Sequence, residues 1–277
     1  MEDLSKAIEN HYLKEGLFEV IVGKLKEQGI DIENVTRANI LGVDEFHVRG
    51  AAVSKELAGL IDLHGKNVLD VGCGLGGPCR MLSDEFDCQT TGIDLSKEYI
   101  RTANQLSKLV KLDKKTTFVH GNALDLPFKD SSFDVVWTQH VQMNIPNKER
   151  FYSEIFRVLK HGGHLLYYDI FTSAKGNISY PMPWASNANQ SFLFTFAQME
   201  KLLNQLGVVK VNAIDQTKAG IDFFEIMMVN LQEFGPPSIG LNLLMGETTK
   251  PKLSNLLSHL KDGLLALHSG VYRKNLY

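Results

Sequence analysis

Val68-Leu69-Asp70-Val71-Gly72-Cys73-Gly74-Leu75-Gly76-Gly77 is the stretch that decides the fold. It opens as a short, mostly apolar run and ends in glycines, as a strand buried on both faces does where it turns into a helix. Glycine lets the backbone turn sharply and approach a ligand at positions a Cβ would block. Reading outward, strand-like and helical segments alternate. Strands are predicted at 67–71, 89–93, 116–119, 133–138, 163–170 and 208–215, with helices near 77–86, 96–110, 147–160 and 195–206. This alternation implies an α/β chain with a doubly wound sheet and helices on both faces. Ligands gather outside the carboxyl ends of such strands, so the loops after 71, 93, 119 and 138 carry the expected site.

Two stretches break the rhythm. Residues 171–194 form a loop rich in Ser, Asn, Pro and aromatics, too long for a plain connection. Residues 218–262 read as helical and apolar and precede a last strand near 265–273, so they are expected to form a lid inserted before it. At the other end, helical spacing runs over 3–29 (Leu4, Ile8, Tyr12, Leu17, Val20, Ile21, Leu25) and over 51–63. The division expected is an N-terminal helical cap over 1–63, a ligand-binding core over 64–217, and the lid with the last strand over 218–277.

Composition excludes several classes. The 277 residues carry 29 Lys+Arg against 32 Asp+Glu, a net charge of -3, so the basic footprint of a nucleic-acid binder is missing. Lys108, Lys111, Lys114 and Lys115 read as a solvated helix end. No run approaches the ~18 apolar residues of a membrane span, and the acidic start lacks the pattern of a signal peptide. Cys73, Cys79 and Cys88 are odd in number and lack the paired spacing of a zinc site, so they are expected to be reduced thiols. The expectation is a cytoplasmic protein with a small-molecule partner, no nucleic acid, no membrane and no metal; a homodimer is the assembly considered.

Gly72, Gly74 and Gly77 formally satisfy G-x-G-x-x-G, which raises a dinucleotide site. Asp94 stands 24 residues beyond Asp70, where an acid can accept both hydroxyls of a ribose. Asp70 separates the two cofactors. A dinucleotide brings a pyrophosphate to the helix N-terminus, beside which a carboxylate is unwelcome. S-adenosyl-L-methionine brings a cationic sulfonium and an ammonium group, which a carboxylate suits.

The chain resembles the class I S-adenosylmethionine-dependent methyltransferases, in their type 11, small-molecule group, over roughly residues 45–216. Asp70 to Gly76 resembles the family's first motif and Gly92-Ile93-Asp94-Leu95-Ser96 its second. Gly121-Asn122-Ala123-Leu124-Asp125-Leu126-Pro127-Phe128 is similar to the third, with Asn122 where many relatives carry Asp. Phe133 to Trp137 followed by Thr138-Gln139-His140 resembles the fourth strand and its exit. Arg157 to Gly163 is similar to the helix-to-strand turn, with His161 in place of the usual Pro. The resemblance implies a Rossmann-like seven-stranded sheet. It also implies a cofactor loop shaped by Asp70, Gly72, Gly74 and Gly76, a ribose held at Asp94 and Leu95, adenine at Asn122 and Ala123, and the methionyl end at Gln139.

Asp44-Glu45-Phe46-His47-Val48-Arg49-Gly50 is similar to the segment ahead of the first strand in enzymes acting on sarcosine, dimethylglycine and phosphoethanolamine. In those enzymes the N-terminal helices cap the cofactor and place an aromatic or His near the acceptor, which points to Phe46 and His47. Asn144 fills the position where phosphoethanolamine enzymes carry a catalytic His. His47 and His140 are the catalytic candidates, and Phe46, Tyr168 and Trp184 the candidates for the acceptor pocket; Pro181 and Pro183 precede Trp184 and restrict the backbone leading into it. The expected reaction is methyl transfer to a small molecule, a sarcosine- or dimethylglycine-like amine, with a quinone-like or other apolar acceptor as the alternative. From other classes come a nicotinamide-dependent oxidoreductase and a non-catalytic S-adenosylmethionine-binding protein.

Overall fold

Seven strands pair into one sheet of order β3-β2-β1-β4-β5-β7-β6 in a computed structural model that describes residues 16–276. They are β1 (Asn67–Val71), β2 (Gln89–Asp94), β3 (Thr116–His120), β4 (Phe133–Gln139), β5 (Leu159–Thr172), β6 (Val209–Asp215) and β7 (Leu265–Arg273). The first five are parallel; β7 runs antiparallel between β5 and β6. Strands β1 and β4 are buried nearly throughout, because helices cover both faces of the parallel part. At the rim, β6 exposes most of its residues.

The strand predicted over 163–170 begins earlier, at Leu159, and the helix predicted to 160 stops at Val158. Phe133 pairs with Leu159 but Val135 with His164, so Lys160 to Gly163 bulge within the strand rather than forming a turn ahead of it. Among the described residues three α-helices precede β1: α1 (Leu17–Glu27), α2 (Arg37–Asp44) and α3 (Ala51–Ala58). Helix α1 buries Leu17, Ile21 and Leu25 at the predicted spacing, whereas Leu4, Ile8 and Tyr12 lie outside the described residues. The pattern read over 51–63 is helical only to Ala58.

Around the sheet lie α4 (Gly77–Glu85), α5 (Lys97–Leu109), α6 (Lys148–Val158) and α7 (Phe196–Gln205). Between β6 and β7 come α8 (Thr217–Phe234), α9 (Leu241–Met245) and α10 (Thr249–Lys261), where an insertion before the last strand was expected. These inserted helices meet the N-terminal ones: Ile239 and Leu244 share an apolar cluster with Leu17, Ile21, Ile40 and Val43. The approach is close, since a Cβ on Gly42 would stand 2.1 Å from the Ile239 carbonyl oxygen. The long loop is tied to α10, whose Asn255 donates to the Pro181 carbonyl at 2.9 Å and whose His259 accepts from the Ser179 amide at 2.9 Å. Among the described residues no helix is long and apolar enough to cross a membrane, and no cluster of His, Cys, Asp and Glu is grouped to hold a metal.

Candidate active site

A cavity of about 1040 Å³ opens at the carboxyl ends of β1, β2 and β4. It is lined by Asp70, Gly72, Gly74, Asp94, Leu95, Asn122, Ala123 and Gln139, residues that the sequence scatters over 70 positions. The Gly72 and Cys73 amides donate to the Ile93 carbonyl at 2.8 and 3.1 Å, which folds the turn back on β2. Gly72 has φ 76°, and a Cβ there would stand 2.4 Å from Val141 Cγ2. Asp94 fastens the same turn: its Oδ2 accepts from the Gly74 amide and its Oδ1 from the Ser96 amide, both at 2.9 Å. Burial raises its carboxyl above the usual range, against these amides, which favour the ionised form.

Asp70 is 2% exposed, and its Oδ2 accepts from the Cys79 thiol at 3.6 Å. Burial pushes it up to about 7, and the nearby Asp94 adds to the rise. Among the described residues no cationic side chain forms an ion pair with it, so a cation entering the cavity would meet an acid in need of one. That suits the sulfonium and ammonium of S-adenosylmethionine and opposes a pyrophosphate.

A second cavity, about 520 Å³, lies beneath the inserted helices. Its walls include Val48, Met143, Ile170, Pro183, Trp184, Phe223, Phe224, Met227, Leu241, Leu253 and Leu256. Phe46, His47 and His140 line both cavities, so the two meet at these residues. Among the described residues that line the second cavity, the polar side-chain groups are the two imidazoles and the Trp184 indole N–H, which donates to Ser191.

The histidines are held differently. His47 Nε2 lies 3.0 Å from Ser54 Oγ, 3.1 Å from the Gly50 carbonyl and 3.2 Å from Gln139 Nε2. Ser54 in turn donates to Glu45 Oε2 at 2.9 Å, and Trp137 Nε1 donates to Gln139 Oε1 at 2.8 Å. Burial pushes His47 down to about 4 and Glu45 up to about 8. The 3.1 Å approach of Glu45 to His47 therefore joins two neutral groups near pH 7 and is no ion pair, despite its geometry. His140 leaves β4 with φ 52°, its amide bonded to the Tyr168 carbonyl at 2.8 Å. Its ring lies 4.9 Å from that of Tyr168 and 6.0 Å from that of His47. Its Nε2 is buried with no hydrogen-bond partner among the described residues, and burial holds the imidazole well below its ordinary value.

Two of the expected site residues lie off both cavities. Gly76 lines neither cavity; with φ 81° it starts α4, where a Cβ would fall 2.4 Å from the Phe118 ring. Tyr168 also lines neither, and instead backs the His140 ring. Arg49, in the same segment as His47, is engaged by Glu56 at 2.5 Å and Gln216 at 2.9 Å. Trp184 does line the second cavity, its Nε1 donating to Ser191 at 2.9 Å.

Sequence reasoning missed Glu45, Ser54 and the pair Asp44–Arg80. Arg80 is fully buried; its Nη2 donates to Asp44 Oδ1 and to the Leu75 carbonyl, each at 2.6 Å. It thereby pins the end of α2 to the glycine turn. The only signal was the charged pair Asp44-Glu45 set among apolar residues, and nothing in it pointed to position 80.

Residues 69–167 match the family described as methyltransferase domain. The chain is 33% identical over 205 residues to the chloroplastic tocopherol O-methyltransferase of Arabidopsis thaliana, covering 70% of this chain and 58% of that protein. It is 29% identical over 237 residues to norajmaline N-methyltransferase of Rauvolfia serpentina, covering 79% of each. Among solved structures, a protein of Galdieria sulphuraria named for sarcosine dimethylglycine methylation superposes with a TM-score of 0.68 at 20% identity, over 81% of this chain and 86% of that one. The expected class I fold is borne out by this likeness.

Proposed function

We propose, from the methyltransferase domain this chain carries over residues 69–167, that it transfers a methyl group from S-adenosylmethionine to a small, largely apolar molecule. One observation carries the reading: a cavity built around the glycine turn and an unpaired acid meets an apolar cavity at Phe46, His47 and His140. When bound, S-adenosylmethionine supplies a methyl carbon on a cationic sulfur, already bearing a good leaving group.

The chain's own residues then have to orient and desolvate. Asp94 is the acid for the ribose hydroxyls, with Leu95 beside it, while Asn122 and Ala123 flank the adenine and Gln139 the methionyl end. Asp70 and the turn at Gly72 and Gly74 set the charge and curvature of the cavity. Holding a nucleophile about 3 Å from the methyl carbon and excluding water provides most of the acceleration such a displacement needs. The acceptor cavity is walled by the apolar Trp184, Phe223, Phe224 and Met227, which suits it to a dry acceptor. Among the described residues its lining offers no cation to a carboxylate, which favours an apolar acceptor over the sarcosine-like amine. The relatives named for tocopherol and norajmaline, which cover different shares of their own lengths, favour a bulky acceptor too.

The three free, buried thiols of Cys73, Cys79 and Cys88 support a reducing compartment, the cytoplasm, as its location. A homodimer acting without nucleic acid or membrane completes the proposal.

Calorimetric titration with S-adenosylhomocysteine and, separately, with NAD tests the cofactor. Saturable binding of the first alone is expected; binding of NAD alone would overturn the reading of Asp70. A transfer assay with labelled S-adenosylmethionine, comparing apolar phenols and quinols with sarcosine and dimethylglycine, tests the acceptor class. Preferred turnover of the amino acids would refute the apolar assignment.

A further inference from the structure

We propose that the atom methylated is a hydroxyl oxygen of an otherwise apolar acceptor, whose hydrogen is held by His140 Nε2; this rests on the two-cavity reading above. Among the described residues, the lining of the second cavity contains no carboxylate, no cation and no hydroxyl. Of its two histidines, His47 already has Ser54, Gly50 and Gln139 around its Nε2. That leaves His140 Nε2, a buried nitrogen with no partner among the described residues, on the boundary the methyl group has to cross. A buried polar atom left without a hydrogen bond is destabilising, so the ligand that completes it is selected for carrying the missing group.

The missing group is one hydrogen. With its ring proton on Nδ1, His140 presents Nε2 as an acceptor, and a hydroxyl supplies the matching donor. An amine is protonated near neutral pH and would meet no anion in this cavity. A bare hydrocarbon would leave Nε2 dry and unpaired. The backbone fixes the nitrogen's position: His140 leaves β4 in a left-handed conformation, its amide is bonded to the Tyr168 carbonyl, and its ring lies against the Tyr168 ring.

The step balances within the site. A carbon–oxygen bond forms as the carbon–sulfur bond breaks, and the bonding pair stays on sulfur. The hydroxyl proton passes to His140 Nε2, so the positive charge that leaves sulfur reappears on the imidazole and is later given to water. An oxygen with three bonds is a very strong acid and yields its proton even to a weakly basic, buried histidine. A newly methylated ammonium would keep its proton, which again separates hydroxyl from amine acceptors.

Three probes of one shape test this: 2-naphthol, naphthalene and 2-naphthylmethylamine, titrated into the complex with S-adenosylhomocysteine. The wild-type protein is expected to bind 2-naphthol roughly tenfold or more tightly than naphthalene, and the amine no better than naphthalene. That advantage is expected to fall below about twofold in His140→Phe and in His140→Asn, the second variant tolerating the left-handed backbone better. The ring nitrogens of His140 labelled with nitrogen-15 should shift on addition of 2-naphthol and not of naphthalene. With S-adenosylmethionine the expected product is 2-methoxynaphthalene, formed at least about 100-fold more slowly by either variant. Equal affinity for naphthol and naphthalene, no binding of naphthol, tighter binding of the amine, or a methyl on ring carbon would each overturn the inference. Failure of S-adenosylhomocysteine to bind would instead defeat the methyltransferase reading beneath it.

Discussion

Replacing Asp94 with Asn removes one charge and one acceptor while keeping the shape of the side chain. In the wild-type protein each carboxylate oxygen accepts a backbone amide at 2.9 Å, from Gly74 on one side and Ser96 on the other. An amide has a single oxygen, so in the variant an NH2 group must face one of those two N–H donors. The loss is one hydrogen bond to a charged group, worth about 1.5–3 kcal/mol, and the surviving bond weakens from charged to neutral. Because Asp94 holds the turn at Gly74 and is the proposed acid for the ribose, affinity for S-adenosylhomocysteine should fall roughly 10- to 100-fold. The melting temperature should drop by about 2–4 °C for each kcal/mol lost from the fold. Calorimetry at pH 7.5 reads the first effect and a thermal melt the second. A dissociation constant within twofold of wild type, in a variant that melts cooperatively, would refute both the ribose contact and the role of the turn.

Arg80→Met should be the most damaging single change away from the cavities, because it leaves Asp44 buried and charged without its partner; a loss of about 3–5 kcal/mol is expected in denaturant unfolding. Glu45→Gln should alter how stability depends on pH. The folded carboxyl is raised above its unfolded value of 4.5 to about 8, so its stabilising contribution is complete below pH 4.5 and lost as the pH rises to about 8. Relative to the variant, the wild-type protein should lose about 1.4 kcal/mol per pH unit across that window, and parallel melting curves at pH 5.5 and 7.5 would contradict the buried acid. Met227→Trp should fill the apolar cavity and raise the KM for any apolar acceptor at least about tenfold, while S-adenosylhomocysteine affinity stays within twofold; coupled loss of both would mean the cavities are not separate compartments.

Much of the fold was legible because buried parallel strands write themselves as short apolar runs. Val68 to Val71 and Phe133 to Gln139 are such runs, and the helices between them carry a 3.6-residue period. The early start of β5 was hidden because Lys160, His161, Gly162 and Gly163 have the composition of a turn, and only pairing with β4 makes them strand. Asp70, Gly72, Gly74, Asp94, Leu95, Asn122, Ala123 and Gln139 of the first cavity were legible as well, since they lie at or just beyond the carboxyl ends of strands. Gly76 was assigned there because a glycine in a motif looks alike whether it faces a ligand or relieves a clash with Phe118. The network behind His47 was not readable. Ser54 meets Gln139 across 85 residues and Arg80 meets Asp44 across 36, contacts that exist only once the N-terminal helices have settled on the sheet.

The place of β7 has a consequence for how this chain is made. The last strand, Leu265–Arg273, lies between β5 and β6 and supplies both of their edges with hydrogen bonds. While the chain leaves the ribosome, β5 presents an open edge for the whole time that some 90 further residues are translated. Unsatisfied edges of that kind invite pairing with other chains. The sheet therefore closes only when β7 enters the gap between β5 and β6.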